Sequence, residues 1–152
     1  MPNKIRRVVT VNDAKGRAVV SSDSLIESHG GRRGDVHVTN LWMTEGAPPE
    51  LDGPDALAKE IPMLPPKDGM TFRIMEIGPH TEPHMHRTET FDYIMVLEGV
   101  LEMYLDDGNK VSMKEGDFMV QRGTMHGWTN PTDKVTRFAT VIIDAGGRLF
   151  EA

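Results

Sequence analysis

Between residues 71 and 143 the chain alternates short apolar runs with two- and three-residue turn signals, and this rhythm constrains the fold more than any other feature. Strand-like runs occupy residues 71–77, 82–87, 91–97, 100–106, 109–113, 117–121, 126–129 and 136–142. Between them stand Gly78-Pro79, Glu98-Gly99, Asp106-Asp107-Gly108, Glu115-Gly116, Arg122-Gly123 and Asn130-Pro131. Such residues supply the positive or fixed φ that tight turns need. A parallel sheet needs a crossover of about a dozen residues between strands, and no gap here is that long. The pattern predicts an all-β antiparallel sandwich or barrel.

Residues 1–70 read differently. Val8, Val9, Val11, Val19 and Val20 flank the turn signal at 13–16, which predicts a hairpin. A further strand is expected at 36–42. The proline-rich stretch 47–67 has room for one short helix at 54–61, with Pro54 in its first turn. The rest of that stretch reads as a loop long enough to cover a pocket or touch a partner. At 152 residues the chain is the length of one domain. Within it, 1–70 is read as strands and loop packed on the barrel or on a partner subunit, and 71–152 as the barrel core.

Composition removes several function classes. The net charge is −6, from 23 acidic and 17 basic residues, which disfavours binding to nucleic-acid phosphates or to an anionic membrane. No apolar run is long enough to span a bilayer as a helix. The basic N-terminal residues 1–7 lack the apolar stretch of a secretory signal, so a cytoplasmic protein is expected. Cysteine is absent, which removes a Cys nucleophile and leaves only His and carboxylate side chains to hold a metal.

His80, His84, His86 and His126 fall in the second half of the chain. On a strand, residues two apart share a face and lie about 6.6 Å apart, so His84 and His86 would aim at one point with Met85 turned away. Two imidazoles so placed can meet one ion at about 2.0–2.1 Å each. By chance alone, such a pair is equally compatible with a polar strand face.

The surroundings of that pair resemble the cupin superfamily. Gly78, five residues and His84-Met85-His86 match the start of its first motif, and Asp92 stands six residues before Gly99 where that motif carries Glu. Gly116, Gln121-Arg122-Gly123, His126 and Asn130 match its second motif, with Gln121 in place of proline and one residue fewer after Gly116. That shortening suggests a bulge that re-aims His126. Asp92 also lies further from His86 than the family's Glu does, and Glu89 is a competing carboxylate.

The resemblance implies a double-stranded β-helix, the jelly-roll or cupin barrel, with the N-terminal strands and loop as an extension. It implies metal ligation by His84, His86 and His126 with Asp92 as a weaker fourth ligand. That set suits a divalent transition metal, Fe, Mn, Ni or Zn. Arg73, His80, Gln121 and Trp128 are the candidate substrate contacts: a carboxylate clamp, a rim residue, and two residues flanking the second motif. Tyr93 has the opposite parity from Asp92 and should face away, whereas Tyr104 and Arg137 are weaker candidates. The function implied is a metal-dependent enzyme on a small aromatic or keto-acid substrate, a dioxygenase, decarboxylase or isomerase. The alternative is a cupin that binds a small ligand without turnover. Partners are expected to be that small molecule and a second copy in a homodimer, not nucleic acid or membrane.

Overall fold

The structure is a computed structural model that describes residues 4–31 and 33–147. Residues 1–3, the start of the segment read as lacking a signal, and 148–152, the end of the expected barrel core, lie outside them. Eleven strands are described: β1 (Lys4–Asn12), β2 (Ala18–Glu27), β3 (His29–Gly30), β4 (Val36–Thr44), β5 (Met70–Ile77), β6 (Thr90–Glu98), β7 (Val100–Tyr104), β8 (Lys110–Lys114), β9 (Phe118–Arg122), β10 (Gly127–Thr129) and β11 (Thr136–Asp144). All pair antiparallel.

The main sheet has six strands in the order β3-β4-β5-β11-β6-β9, and a three-stranded sheet runs β10-β7-β8. The core between these sheets is Ile77, Ile94, Val96 and Phe138 from the first against Leu101 and Met113 from the second. Strand alternation explains which residues face inward. Thr90, Asp92, Ile94 and Val96 are all buried on β6, whereas Tyr93 among them and Leu97 after them are exposed. The pleat that turns Ile94 into the core therefore turns Asp92 the same way.

β1 and β2 form the expected hairpin as a separate two-stranded sheet. It is tied down by Arg7, which donates to Leu41 O at 3.1 Å and to the Asp55 carboxylate at 2.9 Å. β4 pairs with β5 through eight residue pairs, from Val36–Ile77 to Thr44–Met70. Among the described residues no helix is long and apolar enough to cross a membrane.

Three local expectations are corrected. The helix at 54–61 is only a 3-10 turn at Ala56–Ala58, capped by Asp55 Oδ1 accepting from Leu57 N. Pro62 and the commitment of Asp55 to Arg7 leave too few residues to propagate a helix. The strand at 82–87 forms no ladder: the isolated bridges in and beside it are Thr81–Asn130 and His86–His126, and Pro83 has no amide to donate to a ladder. No bulge accompanies Gln121: β9 runs in continuous register against β6, with Gln121 opposite Asp92.

Candidate functional site

The inner face of the main sheet opens into a cavity of about 280 Å³. Its walls are largely apolar, with Val38, Met75, Ile77, Ile94, Trp128 and Phe138 among them. Its polar groups are the inward residues of the same strands, Arg73, Asp92 and Thr140, together with Arg33, Thr81, Thr88 and the three histidines His84, His86 and His126. Met63 and Leu64, from the proline-rich loop, complete the wall.

The histidines are held by short backbone contacts. His86 N donates to His126 O at 2.8 Å and His126 N donates to His86 O at 2.9 Å. The two rings then lie 4.3 Å apart between centroids, and His84 lies 5.8 Å from His86. The His86 Nδ1 is 2.8 Å from His84 O, and the His126 Nδ1 is 2.8 Å from Thr124 O. A carbonyl can only accept, so each Nδ1 carries a proton, and it is Nε2 that holds the lone pair of the neutral ring. Burial also holds His126 below the usual histidine range, which favours the neutral imidazole.

Gln121 joins this cluster from the edge strand. Its Nε2 donates to Asp92 Oδ2 at 3.1 Å and lies 3.3 Å from His126 Nε2. The Asp92 contact follows from their opposition across β6 and β9. Burial pushes the Asp92 carboxyl up, against the opposing effects of a Thr90 hydrogen bond and of His86. Asp92 Oδ1 and Gln121 Oε1 are both buried without a hydrogen-bond partner. Carboxylate and amide oxygens beside imidazole nitrogens are donor atoms of the kinds that divalent cations take. The donor chemistry fits a divalent transition metal. As the side chains stand, no three His, Asp or Glu groups among the described residues are arranged around one point.

The other candidates divide. Trp128 lines the cavity, edge-on to His126 at 5.6 Å and packed on Phe138 at 5.7 Å. Arg73 lines it too, but two of its nitrogens are bound to loop carbonyls. His80 lies outside the cavity wall and pairs with Asp133 at 2.7 Å on the surface. Glu89 is exposed and does not line the cavity. Tyr93 faces outward as its parity requires, Tyr104 lies under Lys110, and Arg137 bridges Glu76 and Glu98. Sequence reading missed Met63 and Leu64 as individual wall residues. The only signal was the length of the loop that carries them.

Two facing antiparallel sheets enclosing a histidine-lined cavity define a cupin barrel. The chain belongs to the cupin-domain family, whose model, "Cupin_2: Cupin domain", matches residues 72–143. It is 33% identical over 149 residues to the cupin-domain-containing oxidoreductase fogC of Aspergillus ruber, covering 93% of this chain and 73% of that one. It is 37% identical over 110 residues to the cupin-domain-containing oxidoreductase srdD of Neurospora crassa, covering 68% of this chain and 56% of that one. Among solved structures, the polyketide cyclase RemF from Streptomyces resistomycificus aligns with a TM-score of 0.54 at 20% identity, covering 83% of this chain and 82% of that one. That last likeness is one of fold.

Proposed function

We propose that the cavity is the active site of a metal-dependent cupin oxidoreductase acting on a small, largely apolar organic substrate. The observation that carries this reading is the pair of Nδ1-to-carbonyl contacts at His86 and His126, which leave Nε2 of each neutral ring unprotonated beside an apolar cavity, that of His126 accepting from Gln121 Nε2. The oxidoreductases fogC and srdD support the reaction class, since both share this fold family. Dioxygenase chemistry fits that class better than decarboxylation or isomerisation.

His84, His86 and His126 would hold the ion, and Asp92 would be a weaker fourth ligand. A bound Fe, Mn, Ni or Zn ion would supply Lewis acidity and, where redox-active, a path for electrons between substrate and dioxygen. The protein's own part is positional. The Thr124 and His84 carbonyls fix the orientation of two imidazoles, and Gln121 holds the Asp92 carboxylate beside His126. Ile94, Trp128 and Phe138 would exclude water, which strengthens every electrostatic contact within the site.

Elemental analysis of protein purified without chelator tests the reading, followed by an oxygen-uptake screen on catechols, gentisate-like acids and β-diketones. Near-stoichiometric metal with turnover is expected. Metal only at trace level overturns it. Metal without turnover on any substrate favours a ligand-binding cupin instead.

A further inference from the structure

Arg73 is buried, at 1% exposure, in the wall of the cavity. Among the described residues it has no hydrogen-bonded carboxylate, and burial alone pulls its pKa down, to about 10. A guanidinium taken out of water ordinarily faces an anion, because an uncompensated charge in a low-dielectric interior is expensive.

The present partners of Arg73 are makeshift in one respect. Nη2 donates to Pro62 O at 2.9 Å and Nη1 donates to Met63 O at 3.0 Å, which are ordinary bonds. Nη1 also reaches Met63 Sδ at 3.3 Å, and Nε has no acceptor. A thioether is among the weakest acceptors in proteins. Met63 is half exposed, lines the cavity and has an unbranched, adaptable side chain. Its sulfur therefore occupies a strong donor that a better acceptor would take.

We propose that the cavity takes a carboxylate-bearing ligand, whose carboxylate displaces the Met63 sulfur and pairs with Arg73 while its apolar body lies against Ile94, Trp128 and Phe138. The inference rests on the reading of the cavity as a substrate site and names the class of substrate. The loop carbonyls of Pro62 and Met63 would keep the guanidinium oriented as the carboxylate arrives.

Calorimetry with benzoate and benzyl alcohol, on the full chain before and after chelator treatment, tests it. Benzoate is expected to bind about tenfold more tightly than the alcohol in both preparations, as suits a charge-assisted pair. In Arg73→Gln that preference should vanish while the alcohol still binds. Equal binding of the two ligands, no binding of either, or a preference that survives Arg73→Gln overturns the inference. A preference seen only before chelation places the carboxylate on the metal, which overturns this inference and leaves the proposed function standing. Should Arg73→Gln fail to fold, Met63→Leu decides. It removes the competing sulfur, so benzoate should tighten with the alcohol unchanged; unchanged or weaker benzoate binding overturns the inference.

Discussion

His86 and His126 exchange both backbone hydrogen bonds, at 2.8 and 2.9 Å, in a bridge that no ladder extends on either side. Two residues 40 apart in sequence are thereby fixed ring to ring at the wall of the cavity. A single bridge is weak support by itself. Each imidazole adds a bond from Nδ1 to a carbonyl two residues earlier, so backbone and side chain are pinned together.

Removing either ring should therefore strip metal. His86→Ala and His126→Ala are each expected to lower metal affinity by at least about tenfold, by analogy with the effect of disturbing metal-site partners. His84→Ala should cost less, because His84 is exposed and 5.8 Å from His86. Elemental analysis after dialysis against buffered metal, with circular dichroism to confirm folding, reads the result. Full occupancy in His126→Ala would show that the ligand set is wrong.

Asn130 clamps the same region from outside the cavity. It is fully buried, its Nδ2 donates to Ile77 O at 3.1 Å, Gly78 O at 3.1 Å and Lys134 O at 2.6 Å, and its Oδ1 accepts from Thr132 N at 3.0 Å. These bonds join the end of β5 to the turn after β10. Asn130→Ala would orphan several carbonyls at once and is expected to cost about 2–3 kcal/mol, or roughly 4–12 °C in Tm. A melt within a degree of wild type would contradict that role.

The sequence made the strands legible wherever alternation and turns agreed, and β5, β6, β7 and β11 lie within two residues of where the pattern put them. It was less informative where tertiary contacts decide. Pro83 and Pro79 broke the strand expected around His84, so the two imidazoles are set by the His126 bridge and by carbonyl contacts rather than by strand periodicity. Gln121 was legible as a departure from the family motif but not as the residue opposite Asp92, because cross-strand register is a property of two distant segments. Arg73 was expected as a clamp, yet its bonds to Pro62 and Met63 depend on a loop whose path leaves no periodic signal.

Gly127 shows how closely β10 approaches the histidine segment. A Cβ there would lie 2.9 Å from Met85 Sδ, 3.1 Å from Pro83 Cβ and 3.3 Å from the His84 backbone carbon. The sulfur can move aside, but the proline and the backbone cannot without shifting His84 and His86. Gly127→Ala should cost about 1–3 kcal/mol by overpacking and weaken metal binding in parallel. A thermal melt and a metal titration check the two effects separately. Lost stability with unchanged metal affinity would show that the histidines do not depend on this contact.

Asp92 and His126 should leave opposite marks on the pH dependence of the metal-free protein. The Asp92 carboxyl is raised above its ordinary 3.8, so the folded state holds its proton more tightly than the unfolded chain. Its contribution is complete below 3.8 and is lost as pH rises through the folded value. His126 is lowered from 6.5, so its contribution is complete above 6.5 and is lost as pH falls through its folded value. Asp92→Asn removes only the first limb, and the amide's oxygen can still accept from Gln121 Nε2. The variant should therefore gain on wild type as pH rises from 3.5 to 7, by on the order of 1 kcal/mol. Chelator-treated samples melted across that range measure the difference directly. A gap that narrows toward pH 7 would mean that the buried carboxylate is stabilised, not penalised, by its surroundings.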